Sequence, residues 1–463
     1  MQKVFSWAVA GFLGTFLASA PNRSLCQTSQ QIRSVGEFYA HADGFSGDVV
    51  VFRNGSIISN EGYGLANVEL SVPITAKTRF AIGSVTKQFT AASILLLQEQ
   101  GLLKTTDTLA QHYSATPSPW KDVTLRELLQ HTSGIPDGVE SWGTAAFEQG
   151  QHPPEDIIKS VASKPLVFPA GSRMQYNNMG YVLLGLVVES VSKQSYADFL
   201  QQHFFTPLHM QDTGLGSSTA VIPNRAYGYA YGHQGSLETA DPVPFTSNFS
   251  AGGLYSTAAD LAKWLIALHG GRVLKPASYT EMTTEGLDGY AYGLRISNQS
   301  GKLDISHNGR VSGFDSETEY FPETKTGIVI LSNKLSHSLS PGTNALDTDL
   351  IHLATEQNAA VRSLAGEAHV EPATLSRYTG KYQAVAKNDD VSVLVELKDG
   401  RLTLTPTGNP TSTLFAISGH AFYMKEHEVE VEFHQDGGGN WSMDLFDLPD
   451  QTMRTLRKVP AKE

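Results

Sequence analysis

Between Phe89 and Leu97 the chain offers almost no polar surface. In the stretch "RFAIGSVTKQFTAASILLLQEQGLL", Phe89, Ala92, Ile94, Leu95, Leu96 and Leu97 leave a helix that must be covered by other layers of secondary structure. That requirement demands a sizeable core. With 463 residues, 40% hydrophobic and 17% charged, the chain can supply one and is long enough for two domains. Yet Ser84 opens this helix and Lys87 follows three residues on. A lysine one turn into so apolar a segment calls for a chemical reason.

The covering layers are legible around it. "GDVVVFRNGSIISNEGYG" predicts a strand over Val49 to Phe52, a tight turn at Asn54-Gly55 and a return strand from Ile57-Ile58. The next two hundred residues are mostly helical in pattern. They include "TLRELLQHTSG", the run from Asn178 and "TAADLAKWLIALHG", where Thr257 predicts an N-cap and Gly270 a C-cap. Strand patterns return in "YAYGLRIS", "KLDISHNG" and "SETEYFPETKTGIVILSN", the last with a turn around Thr324 to Gly327. Strands at both ends of such a region can share one sheet, with the helical middle packed beside it. This spacing sets the larger expected domain at residues 30–358, followed by a polar linker at 359–371. From 372 to 463 the alternation is all β, with Asp399-Gly400 as a hairpin turn, and predicts a small sandwich or barrel.

Residues 1–20 read as an export signal. Lys3 gives the positive end, Val4 to Leu17 the short apolar run and Ala18-Ser19-Ala20 the small-residue cleavage site. Export places the mature protein in the periplasm or outside the cell. The single cysteine, Cys26, excludes an internal disulfide. Arg23-Ser24-Leu25 before it is a poor lipidation signal, so Cys26 is taken as part of the mature N-terminal tail. The net charge of -12, with scattered basic residues, argues against nucleic acid or an anionic membrane as partner. The 15 histidines lack metal-ligand spacing, and no G-x-S-x-G, P-loop or H-E-x-x-H motif occurs, so neither metal nor cofactor is expected.

Positions i and i+3 of a helix share a face, so Ser84 and Lys87 can meet. Near the helix N-terminus the serine's own N–H can help hold an oxyanion. Burial disfavours the ammonium form of Lys87; the neutral amine could take the serine proton, or the cation could lower the pKa of a neighbouring acid. The bland alternative is a serine cap and a lysine reaching solvent. Two further stretches add candidates. Tyr176 and Asn178 in "RMQYNNMGYVLLG" stand where a strongly apolar helix begins. A tyrosine beside a cationic lysine ionises more readily and can relay a proton. Asn178 can donate to a substrate carbonyl and contact Lys87, or simply cap the helix. In "DISHNGRVSGF", His307 can orient a carboxylate or assist proton transfer, and Gly309 lets a substrate backbone approach the strand edge. A surface histidine beside a turn is the alternative.

Taken together, S-V-T-K at Ser84–Lys87, Y-N-N at Tyr176–Asn178 and H-N-G at His307–Gly309 resemble the three-motif signature of the serine β-lactamase-related hydrolases. The match is to the branch holding class C β-lactamases, D-alanyl-D-alanine carboxypeptidases, D-aminopeptidases and family VIII esterases. "LLQHTSGIPD", "FTPLHMQDTGL" and "SAGGLYSTAADLAKW" are similar too. The resemblance implies an α/β (α+β) fold: an antiparallel sheet flanked by helices, a helical subdomain and a site at their seam. It implies Ser84 as acylated nucleophile, Lys87 and Tyr176 sharing proton transfer, and Asn178 positioning the substrate. It also implies an oxyanion hole from the N–H groups of Ser84 and of Arg310, the residue after Gly309. Class C β-lactamases usually carry lysine where this chain has His307, and a neutral imidazole anchors a carboxylate less firmly. The expected substrates are therefore D-amino peptides or esters before β-lactams, with peptidoglycan stem peptides within range. A penicillin- or peptidoglycan-binding protein without efficient turnover is the alternative from another class. The tail, with "LSRYTGKY", resembles the lipocalin-like domain often appended to such hydrolases.

Overall fold

The computed structural model describes residues 23–42, 45–137, 152–217, 219–231, 237–299, 301–335, 345–355, 368–385, 391–407, 411–416, 419–424, 429–447 and 452–459. The expected signal at 1–20 and most of the expected linker lie outside these residues. No helix among the described residues is long and apolar enough to cross a membrane.

The centre is a six-stranded antiparallel sheet. Its strands are β1 (Gly47–Arg53), β2 (Ser56–Tyr63), β3 (Arg295–Gln299), β4 (Lys302–Val311), β5 (Phe314–Phe321) and β6 (Thr326–Ser332), in the order β3-β4-β5-β6-β1-β2. The two ends of the region do meet: Val50 of β1 pairs with Val329 of β6. The β1–β2 turn is the expected one, with positive φ at both Asn54 (51°) and Gly55 (76°). The β5–β6 turn lies slightly earlier than expected, and β6 already begins at Thr326.

Both faces of the sheet are covered, which explains why β1 reads as an unbroken apolar run. Val50 and Phe52 enter the larger core, while Val49 and Val51 enter a second one. The larger core holds α2 (Thr86–Glu99), α3 (Leu125–Leu129), α4 (Asn178–Ser192), α5 (Phe245–Gly252) and α6 (Ala258–His269). Thr257 caps α6 by accepting from the Asp260 N–H at 3.1 Å, and Gly270 ends it, as the sequence predicts.

The second core lies under α1 (Arg23–Ala42) and α7 (Ala345–Thr355). Helix α1 corrects the expectation of an N-terminal tail, since Cys26 falls within it. Ile32, Val35, Phe38 and Tyr39 bury one stripe of α1, with spacings of three, three and one. A single stripe on an otherwise polar helix leaves little signal in the sequence.

The C-terminal strands form a closed eight-stranded barrel: β7 (Gly380–Ala384), β8 (Ser392–Lys398), β9 (Arg401–Pro406), β10 (Ser412–Ala416), β11 (Ala421–Met424), β12 (Val429–Gln435), β13 (Trp441–Asp447) and β14 (Thr452–Lys458). Closure pairs β7 with β14 and leaves no sheet edge. Its core is its own, with Tyr382, Val395, Leu404, Phe433 and Leu456 inside. Asp399 (φ 49°) and Gly400 (φ 80°) make the expected turn between β8 and β9.

Candidate functional site

Ser84 occupies a short 3-10 turn, Gly83–Val85, immediately before α2, and Lys87 is the second residue of that helix. The Lys87 side chain is 0% exposed. Its Nζ lies 2.9 Å from Ser84 Oγ, 2.8 Å from Asn178 Oδ1 and 2.7 Å from the Ala251 carbonyl oxygen. Burial lowers the amine pKa to about 7, against the pull of nearby Asp137, which raises it. The three acceptors match the three N–H groups of an ammonium, and a neutral amine fits them as well. In the amine, two N–H bonds go to the amide oxygen and the carbonyl, and the lone pair is left facing the serine hydroxyl.

The Y-N-N motif divides its labour. Asn177 is the N-cap of α4 and accepts from the Gly180 N–H at 2.6 Å. Asn178, one residue on, turns its Oδ1 to Lys87 and keeps its NH2 group for another acceptor. The Tyr176 hydroxyl lies near enough to Ser84 for the serine to act on its pKa, and the Lys87 Nζ stands 4.8 Å from the ring centroid. Tyr176 keeps part of its surface open, yet enough protein surrounds the hydroxyl for burial to push its pKa up, with nearby Ser84 opposing. The expectation that a cationic lysine eases Tyr176 ionisation therefore does not describe this site. Of the pair, Lys87 is the group whose proton is loose near neutral pH, and the phenol stays protonated.

The H-N-G motif lies on β4. His307 is 1% exposed, and both ring nitrogens are engaged. The Tyr290 hydroxyl donates to Nε2 at 2.8 Å, and Nδ1 donates to the Asn308 carbonyl at 2.5 Å. Burial, with Lys87 nearby, holds the imidazole pKa down to about 3. His307 is thus a neutral part of the floor, with neither nitrogen turned to a substrate. A second chain of bonds fixes it against α2. Thr318 donates to the His307 carbonyl at 2.8 Å, and Gln88 donates to Thr318 while accepting from Trp264.

Gly309 is required for a reason other than substrate approach. A Cβ there would stand 2.1 Å from the Ile82 carbonyl oxygen and 2.9 Å from the Ser84 nitrogen. Gly83, at φ 48°, answers from the other side: a Cβ on it would stand 2.8 Å from the Arg310 nitrogen. The two glycines let the Ser84 turn lie directly against β4. That contact brings together the backbone nitrogens of Ser84 and Arg310, the two expected oxyanion donors. The Arg310 side chain alternates to the other face of the strand and pairs with Asp315 at 3.3 Å.

Asp137, Ala251, Tyr290 and His131 also belong to the site, and none of them stands in the S-V-T-K, Y-N-N or H-N-G motifs. Asp137 accepts the Met179 N–H at 2.9 Å and biases Lys87 toward its charged form. The Ala251 carbonyl is presented just after Phe249, whose backbone (φ 37°, ψ -124°) breaks α5. Two of these residues sit in "LLQHTSGIPD" and a third in "SAGGLYS", which were similar blocks without assigned chemistry. A cavity of about 820 Å³, lined by Gln98, Lys104, Arg126, Glu281 and Tyr292, lies by the other end of α2 and is separate from this cluster. Among the described residues no group of His, Cys, Asp or Glu could hold a metal.

An antiparallel sheet flanked by helices, with S-x-x-K opening its buried helix, defines the β-lactamase/transpeptidase-like class. The chain belongs to the beta-lactamase family: the family model described as "Beta-lactamase" matches residues 31–352. Penicillin-binding protein 4* of Bacillus subtilis is 27% identical over 427 residues, covering 84% of this chain and 90% of its own length. The octameric penicillin-binding protein homologue from Pyrococcus abyssi superposes with a TM-score of 0.65 at 25% identity, over 92% of this chain and 99% of that one. D-amino acid amidase from Ochrobactrum anthropi SV3 has the same fold, with a TM-score of 0.63 at 23% identity, over 71% of this chain and 98% of that one.

Proposed function

We propose that the protein is an exported serine hydrolase that cleaves amide or ester bonds through an acyl-enzyme on Ser84. The observation that carries this reading is the setting of Lys87, whose Nζ lies 2.9 Å from Ser84 Oγ and whose burial lowers the amine pKa to about 7. In this reaction Lys87 takes the Ser84 proton as Oγ attacks the substrate carbonyl. The oxyanion receives the N–H groups of Ser84 and Arg310. The Lys87 proton then reaches the leaving nitrogen or oxygen, with the Tyr176 hydroxyl as bridge. Water attacks the ester in the reverse sequence. The amide of Asn178 holds the substrate by donating to its carbonyl.

Substrates without a carboxylate beside the scissile bond fit best, because His307 is neutral and enclosed. D-amino amides, D-amino peptides and short esters are therefore preferred over β-lactams. A second reading has one observation in its favour. The exposed guanidinium of Arg295 lies 5.7 Å from the Tyr290 ring centroid, and it forms no ion pair among the described residues. That cation suits carboxylate-bearing substrates such as β-lactams or peptidoglycan stem peptides. Export rests on the apolar run and small-residue site within residues 1–20.

The test is a panel of D-amino-acid amides, a D-Ala-D-Ala peptide, short p-nitrophenyl esters and a chromogenic cephalosporin, run beside Ser84→Ala. Turnover of an amide or ester that Ser84→Ala abolishes is the expected result. Fastest turnover on the cephalosporin would overturn the substrate preference. Labelling of Ser84 by fluorescent penicillin without turnover of any substrate would make this a binding protein.

A further inference from the structure

His131 follows the short helix α3 and has a left-handed backbone, φ 57°. Glycine is the usual residue there, because a Cβ makes that conformation costly. The side chain at this costly position is buried and faces the candidate site. Its ring centroid lies 4.3 Å from that of Tyr176, 4.4 Å from Tyr290 and 5.1 Å from Tyr181.

The same residue also holds the main chain on both sides of Tyr176. The Gln175 N–H donates to the His131 carbonyl at 2.9 Å. The Asn177 N–H donates to His131 Nδ1 at 3.1 Å. Two nearby bonds extend the clamp: Gly171 N–H to the Thr132 carbonyl at 2.8 Å, and Asn177 Nδ2 to the Ile135 carbonyl at 2.7 Å. Because Nδ1 accepts, the ring is the Nε2–H tautomer, and that buried N–H has no partner. The position thus carries a strained backbone and an unpaired donor together, which packing alone does not require. Burial, and the cations of Lys87 and Arg295 near it, keep the imidazole uncharged. It therefore adds no second positive charge beside Lys87.

We propose that His131 is the positioning residue for Tyr176, fixing the tyrosine's backbone on both sides and its ring plane so that the hydroxyl is held toward Ser84. This inference rests on the serine-hydrolase reading and deepens it. His131 touches no reacting atom; its effect on acylation passes through Tyr176 alone.

The experiment measures second-order labelling of the full-length protein by a fluorophosphonate. His131→Asn tolerates the left-handed backbone and can still accept an N–H, but it lacks the ring. His131→Gly removes the side chain while relieving the backbone. Each should slow Ser84 labelling by about tenfold or more with a cooperative thermal transition retained. In a Tyr176→Phe background, His131→Asn should change the rate by less than about twofold, because the group it positions is already gone. A merely structural role predicts instead that the two losses multiply. Multiplying losses, or His131→Asn within about twofold of wild type, overturn the inference. So does loss of the cooperative transition in both variants, which would make His131 a folding residue. Failure of the underlying reading looks different: wild type would then carry the adduct on a residue other than Ser84.

Discussion

Lys87 has three acceptors around one nitrogen, and its protonation decides which way the serine hydrogen bond runs. As an ammonium it donates to Ser84 Oγ and is useless as a base. As an amine it accepts from the hydroxyl. With the pKa lowered to about 7, acylation should rise with pH through an ascending limb near 7. Labelling rates between pH 5 and 9 check this, and a flat profile would remove Lys87 from the role. Lys87→Arg keeps the charge but cannot deprotonate, so acylation should fall about a hundredfold or more. The same limb persisting in that variant would place the titrating group elsewhere. Tyr290 invites a different expectation. Tyr290→Phe leaves His307 Nε2 buried without its donor, at a cost of about 1–3 kcal/mol. Thermal stability should drop clearly while acylation falls less than in Lys87→Arg. A Tyr290→Phe protein with unchanged melting would mean that this bond holds nothing.

At the scale of elements, the site is a contact between the turn before α2 and the edge of β4. Gly309→Ala tests it directly. The new Cβ would meet backbone at 2.1 Å, and neither the Ile82 carbonyl nor the Ser84 nitrogen can yield without moving the serine. Labelling of Ser84 should fall about a hundredfold with a lowered melting temperature. Retained labelling would show that the turn can shift without harm. This contact also shows what the sequence could convey. The apolar run from Phe89 to Leu97 in α2, the Asn-Gly and Asp-Gly turns and the Thr257 cap are local signals, and each appears where local chemistry predicts. Gly309 was legible as a necessary glycine, but its crowding partner lies more than two hundred residues away in Ile82 and Ser84. His307 was misread for a similar reason. A lone histidine carries no mark of burial, and its enclosure comes from Tyr290 and from Thr318 on the neighbouring strand. Helix α1 escaped because only a stripe of it is apolar.

At the scale of the whole molecule, covering the sheet on both faces buries the reverse side of the strands that carry the site. That side is acidic. Ser306 pairs in register with Glu319, Asn308 with Glu317 and Arg310 with Asp315, while Asp304 and, from α7, Asp347 complete the group. Asp304, Glu319 and Asp347 each retain a buried oxygen without a hydrogen-bond partner. Burial raises Asp347 to about 7 and Asp304 to about 6, and it pushes Glu317 and Glu319 well above the carboxylate range. A carboxyl whose folded pKa is raised holds a proton that the unfolded chain has already released. Its stabilising share is fully present below the unfolded value near 4 and is lost as pH rises through the folded value. Buried His131, His269 and His307 act oppositely in the lower part of that range, because their folded pKa values are depressed. Lys87 opposes it above about 7. Wild-type stability alone would therefore mix several slopes, whereas the difference from Glu319→Gln isolates one. Glutamine keeps the shape and cannot ionise. Calorimetric melting of both proteins between pH 5 and 8 should show the variant gaining on wild type as pH rises, by about 1 kcal/mol or more across the range. A difference that stays constant over that range would mean that Glu319 does not carry a proton in the fold.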